Sequence, residues 1–208
     1  MFGKWSAVLI LGVLAVSASS AWAGALAGDP LAYFDGVTTW HGTTVMTGTG
    51  SSAGFSAAID WCVYGPGDYP GSYVAAANEF VYAYQIFVTG AEPLAKLTVG
   101  MLDSNEANDI SNDATLVAGE APSSAYFLAP PPNLDSAIWE FTSLIPGDNS
   151  DGLVYSSVNA PLMFFGSIQD TGKYADGELP SPSDVIPEPM TMSLLLAGLA
   201  GLSLRRRS

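Results

Sequence analysis

The chain has 208 residues, of which 49 % are hydrophobic and only 12 % charged, with a net charge of −14. That length suffices for one domain with a full core, and the charged share is about half that of an ordinary soluble domain. Between Asp29 and Glu188 the only bases are Lys96 and Lys173, set against all 20 acids, so the body repels nucleic acid and anionic lipid and neither is expected as a partner.

Residues 1–23 read as a secretory signal peptide. Lys4 supplies a positive start, Ser6 to Val16 an apolar run, and Ala21-Trp22-Ala23 the small residues at the two positions a signal peptidase reads. Ala25-Leu26-Ala27 is a second candidate cut. The apolar run is short for a membrane span. Cys62 is the only cysteine and lies far from the leader. An intramolecular disulfide is therefore excluded, and a lipid-modified N-terminus is not expected.

The body, residues 24–174, reads as short strands between turn clusters. Thr43 to Thr47 and Phe55 to Tyr64 come first. From Glu79 to Val88 the alternation is clearest: Phe80, Tyr82, Tyr84, Ile86 and Val88 form a dominant apolar face. Turn residues 89–93 follow, and then Leu97, Val99 and Met101 alternate with Lys96, Thr98 and Gly100. The two stretches read as an antiparallel pair joined by a short loop. Ala114 to Val117, Ser124 to Leu128, Ala137 to Phe141, Gly152 to Ser156 and Leu162 to Ile168 are further strands. No part of the body keeps a helical period. The fold class is all-β, an antiparallel two-sheet sandwich of immunoglobulin-like or jelly-roll-like form. A β-helix is the alternative, without a fixed-period repeat to carry it.

Candidate chemistry in the body is sparse. His41 is the only histidine and lies in a Thr-rich run, 38–49, without a nucleophile motif; it reads as a surface-loop residue. The run lacks the regular repeat of an ice- or sugar-facing array. One histidine and one cysteine exclude a structural zinc site, and Cys62 reads as a small buried strand residue. Among 20 acids no carboxylate pair stands out for glycoside hydrolysis. In the segment from Asp103 to Asp113, Asp103, Asn105 and Asp109 have in part the spacing of calcium ligands. An EF-hand loop would need a ligand at Ala107 and a glycine at Asn108 and has neither, so a plain acidic loop is the simpler reading. Trp40, Trp61 and Trp139 are expected in the core rather than stacked on sugars.

Residues 175–185 are rich in Pro, Ser and acid and read as a linker holding the body off a membrane. Residues 190–204 carry no charge and as a helix would cover about 22 Å, short of the ~30 Å hydrocarbon core. Arg205, Arg206 and Arg207 would hold that end on the cytoplasmic side. The order Pro187-Glu188-Pro189, apolar stretch and arginine cluster over residues 186–208 resembles the PEP-CTERM sorting domain. The resemblance implies recognition by an exosortase, a membrane-embedded cysteine transpeptidase. That enzyme would remove the helix near the motif and send the body to the envelope or extracellular matrix. The two prolines keep the backbone around Glu188 extended.

Phe80 to Phe87, Trp139 to Phe141, Ile145 to Gly147 and Ser156 to Pro161 resemble, loosely, secreted domains that carry this tail. Such domains look like immunoglobulin-like sandwiches of unassigned role. The sequence thus points to a non-enzymatic surface or matrix protein. It would be held transiently in the inner membrane, processed by signal peptidase and exosortase, and released to an exopolysaccharide-rich envelope. A carbohydrate-binding module, calcium-assisted or not, is the alternative, and an extracellular hydrolase a weaker one.

Overall fold

Alternating apolar residues make strands that must hide one face each, and a second sheet is the usual cover. The computed structural model of the chain describes Leu26 and residues 40–101, 107–128 and 135–183. Among these lie ten strands. They are β1 (His41–Thr47), β2 (Ser56–Tyr64), β3 (Phe80–Val88), β4 (Leu94–Met101), β5 (Ala107–Asp113), β6 (Ser124–Leu128), β7 (Asp135–Leu144), β8 (Gly152–Ser157), β9 (Ala160–Asp170) and β10 (Lys173–Ser183). They form two five-stranded antiparallel sheets, ordered β1-β2-β3-β8-β5 and β10-β9-β4-β7-β6. The all-β, two-sheet expectation holds. The expected signal helix and the membrane helix at about 190–204 lie outside the described residues. Among the described residues no helix is long and apolar enough to cross a membrane.

The main core lies between the sheets. Tyr82, Tyr84, Ile86 and Val88 of β3 face Leu97 and Val99 of β4 and Trp139 of β7, all buried. Tyr155 stacks on Tyr82 at 5.0 Å and on Trp139 at 6.1 Å between ring centres. The polar tips are served inside. Tyr84 and Tyr155 hydroxyls lie 3.0 Å apart, Tyr82 donates to the Asn159 carbonyl and Trp139 Nε1 to the Ser111 carbonyl. As expected, Trp40, Trp61 and Trp139 are buried. A second, smaller cluster lies on the far face of the first sheet, where Cys62, Tyr64, Val81, Ala83 and Val154 are covered by Leu26, Tyr69, Tyr73, Leu116 and Val117.

Three elements differ from the sequence reading. First, β3 and β4 do not pair. β3 lies between β2 and β8, and β4 between β7 and β9, so residues 89–93 carry the chain from one sheet to the other. Both strands own a dominant apolar face, and opposing those faces buries both. Gly90 sits at the crossing, where a Cβ would come within 2.4 Å of the Gly54 carbonyl oxygen. Second, the strand expected at 114–117 is a turn, and the described part of the supposed acidic loop before it, Ala107–Asp113, is β5. Asp113 ends β5 by accepting from the amide and hydroxyl of Thr115 at 2.9 and 2.6 Å, a local bond that competes with further strand.

Third, the expected linker is β10 as far as Ser183, and the sandwich does not end at Tyr174. β10 pairs with β9 in unbroken register from Lys173–Asp170 to Ser183–Ala160. Ala175 and Leu179 enter the core. Gly166 and Gly177 are register partners, and side chains at either would collide with Leu179 or with Thr44 and Met46. Pro180 and Pro182 share the parity whose backbone faces away from β9, so the missing N–H groups cost no ladder bond on this edge strand. Leu179→Ala should lower stability by about 2–4 kcal/mol, read from the urea midpoint of the full-length chain. A linker position would give no change.

Candidate functional site

The described acids with buried side chains show what the chemistry of the body is used for. Asp113 closes β5 and faces the long connection between β2 and β3. Its Oδ2 accepts from the Tyr69 hydroxyl at 3.0 Å and from the amides of Ser72 and Tyr73 at 2.6 and 2.8 Å. Its Oδ1 accepts from the Ser72 hydroxyl at 2.9 Å, besides the two Thr115 bonds. Burial opposes the charge, but the bonds from Thr115, Tyr73 and Ser72 outweigh it and hold the carboxyl far below its ordinary value.

Glu79 and Asp151 are used in the same way. Glu79 accepts from the Ala76 amide at 3.0 Å, Asn108 Nδ2 at 2.9 Å and the Ser156 hydroxyl at 2.8 Å. Burial again raises its pKa, and these bonds more than reverse that. Asp151 accepts from Asn112 Nδ2 and the Gly119 amide, both at 2.8 Å. Each carboxylate therefore fastens a connecting segment to the first sheet.

The loop pinned by Asp113 lines a cleft of about 190 Å³ with Gly67, Tyr69, Tyr73, Val74 and Ala75 to Ala77, floored by Val81. Tyr69 meets Tyr64 and Tyr73 edge to face, at 5.2 and 5.9 Å. Burial pushes the Tyr73 hydroxyl up to about 12, so it stays a neutral donor. The cleft offers two tyrosines and small apolar walls, with Val74 fully in view of solvent.

A second surface is the outer face of the second sheet. Ser124, Glu140, Lys96, Gln169 and Tyr174 follow one another across its five strands, and Tyr126, Ile138, Thr98, Ser167 and Asp176 form the adjacent row. Glu140 ties this face together, bonded to Lys96 at 3.0 Å, Tyr126 at 2.9 Å and Ser124 at 3.1 Å. Lys96 and Tyr126 draw its pKa down. Tyr126, Phe165 and Tyr174 leave aromatic surface exposed here.

The sequence-derived candidates fare unevenly. Pro187, Glu188, Pro189, Arg205, Arg206, Arg207, Ala21 and Ala23 lie outside the described residues, as do Asp103 and Asn105 of the calcium set. Asp109, the remaining member, is an exposed residue of β5 with φ 53° at a register shift. Among the described residues no three His, Cys, Asp or Glu side chains converge as metal ligands. His41 is not in a loop but opens β1, exposed, as the register partner of Cys62. A Cys–His couple works through a thiolate. Burial instead pushes the Cys62 thiol up to about 11, despite its bond with Tyr64.

Sequence reasoning did not single out Asp113, although an aspartate two residues before a threonine is a turn signal. Glu79 and Asp151 carry no such local mark, because their partners are distant in the chain. No family model, no curated protein and no solved structure matches the chain.

Asp113→Asn should cost about 2–3 kcal/mol at pH 7, since charge-assisted bonds to backbone amides are lost. The folded-state pKa of Asp113 lies below the ordinary 3.8, so its contribution is present above that value and fades as pH falls through the folded pKa. Urea unfolding of the full-length wild type should thus weaken at acid pH more steeply than that of the variant.

Proposed function

We propose that the chain is an exported envelope or matrix protein of structural or interaction type, delivered by a PEP-CTERM tail. Signal peptidase removes residues 1–23, and the tail helix holds the precursor in the inner membrane. An exosortase then cuts near Pro187-Glu188-Pro189 and releases the body. The observation that carries this reading is the position of β10. The ten described strands run as far as Ser183, four positions ahead of Pro187, so a cut at the motif takes nothing from the described sandwich. The remaining acid chemistry agrees with a non-catalytic body. Asp113, Glu79 and Asp151 are engaged in fastening loops, and Cys62 is held as a neutral thiol. Of the two sandwich forms, the jelly-roll-like one is the better supported, because β3, β4 and β5 and again β7, β8 and β9 alternate between the sheets.

Replacing Pro187, Glu188 and Pro189 with alanine should leave the full-length protein in the inner-membrane fraction. Unchanged release would sink the sorting assignment. Intact mass of the released wild-type form should lack both ends, and retention of Arg205 to Arg207 would count against processing.

A second reading, binding to polysaccharide, is favoured by one observation: Tyr126, Phe165 and Tyr174 present exposed rings beside Gln169, Lys96 and Glu140 on one sheet face. Rings of this kind stack on sugar faces while neighbouring polar groups fix orientation. In affinity electrophoresis through gels containing the producing strain's exopolysaccharide, the wild-type chain should be retarded. Tyr174→Ala combined with Phe165→Ala should run freely. Equal mobility of the two would dismiss this face, and retardation abolished by chelator would bring the calcium-assisted form forward.

A further inference from the structure

Asp60 breaks the pattern of the other buried acids. It sits in the middle of β2, 1 % exposed, and only its Oδ1 is served, by the Thr43 hydroxyl at 2.6 Å. Among the described residues its Oδ2 is buried without a hydrogen-bond partner. The register partner of Asp60 on β3 is Gln85, 2 % exposed, and Gln85 Oε1 is likewise buried and, among the described residues, without a partner. Directly opposed residues in an antiparallel pair stand about 4.5–5.5 Å apart at Cα. Two acceptor oxygens, both out of water, thus belong to side chains that face each other on adjacent strands. An unserved buried acceptor costs about 1–3 kcal/mol, and here there are two side by side. A single proton serves both.

We propose that Asp60 is protonated in the folded chain under mildly acidic conditions and donates through Oδ2 to Gln85 Oε1, forming a proton-operated latch between β2 and β3. The proton comes from solvent and returns to it; no covalent bond changes. With it in place, one polar row runs across the first sheet. Thr43 donates to Asp60, Asp60 to Gln85, and Gln85 Nε2 to the Ser150 carbonyl at 3.2 Å. Ser150 in turn accepts the Ile86 amide and donates to the Asp151 carbonyl. The edge strand β1 is thereby tied through β2 and β3 to the segment that leads into β8. Loss of the proton puts a carboxylate against an amide oxygen in the middle of that row.

The surroundings favour the neutral acid. Burial raises the pKa of Asp60 from 3.8, and the Thr43 bond and the charge of His41 only partly offset it. Among the described residues the titratable groups around the row are His41 on β1 and Cys62 on β2, which are register partners. Asp151 lies in the segment before β8, with its carboxylate turned to Asn112 and the Gly119 amide. From β3 the facing group is the neutral Gln85. Because the folded-state pKa is raised, the stabilisation is full below the unfolded value. It declines as pH rises towards the folded value and then stops changing. This sign is opposite to that of Asp113.

Asp60→Asn tests the latch, because an asparagine keeps the acceptor for Thr43 and supplies a permanent donor to Gln85. Urea unfolding of the full-length wild type and variant is compared from about pH 4 to pH 8. The unfolding constant of the wild type should rise relative to that of Asp60→Asn, by up to about tenfold per pH unit within the window between the two pKa values. The variant should be the more stable at the alkaline end. A difference that does not change with pH, or a variant less stable throughout, overturns the latch and points to a water or cation between the oxygens. Should the variant not fold, the carboxyl-carbon resonance of Asp60 in the wild-type chain decides at about pH 5, where an ordinary aspartate is ionised. A protonated shift there upholds the proposal, and an ionised one overturns it.

Discussion

Tyr84 stands where the two sheets meet, and much of the molecule is arranged around its ring and its hydroxyl. The ring lies in the core beside Trp139 and Tyr155. The hydroxyl bonds to that of Tyr155 and donates to the Pro180 carbonyl of β10. One side chain on the central strand of the first sheet thus holds both a neighbour in its own sheet and the last strand of the other. The constraint behind it is general. A core built from tyrosine and tryptophan gains large apolar area but must find a partner for every buried O–H and N–H. The Asn159, Ser111 and Pro180 carbonyls are those partners here, and each belongs to a loop or strand whose path is fixed by the bond.

The same demand governs the acids. A body with few bases cannot neutralise buried carboxylates by ion pairing, so it surrounds them with amides and hydroxyls instead. Asp113, Glu79 and Asp151 show this solution, and each converts a loop into part of the first sheet's cover. The ion pairs among the described residues, Lys96–Glu140 and Lys173–Glu92, lie partly exposed, where such pairs contribute little.

How far the sequence could be read depended on whether a strand carries its own signal. β3, β6 and β7 do, through alternating aromatic and branched residues, and they were legible. β10 has only Ala175 and Leu179 to place in the core, with acids and a glycine between them and prolines and serines after, so composition alone makes it look like a tether. β5 has its period broken by a register shift between Asn108 and Ser111, and its polar residues read as loop. The crossing from β3 to β4 was hidden for a different reason. Two apolar-faced strands joined by five residues suit a hairpin and an inter-sheet connection equally, and only the partners on either side decide. Cys62 was read correctly as buried, while the pairing of His41 with it, and of Asp60 with Gln85, depends on register and leaves no trace in spacing.

The border of β10 that faces away from β9 has a consequence for how copies of this chain meet. Pro180 and Pro182 remove two amide donors from it, and the carbonyls of Glu178 and Pro180 are occupied by the hydroxyls of Thr44 and Tyr84. From Glu178 to Pro182 that border offers an incoming strand almost nothing to pair with. Molecules crowded together can therefore accumulate without this border templating a growing sheet. Strand-to-strand pairing between copies is left to the other edge strands of the two sheets, β1, β5 and β6.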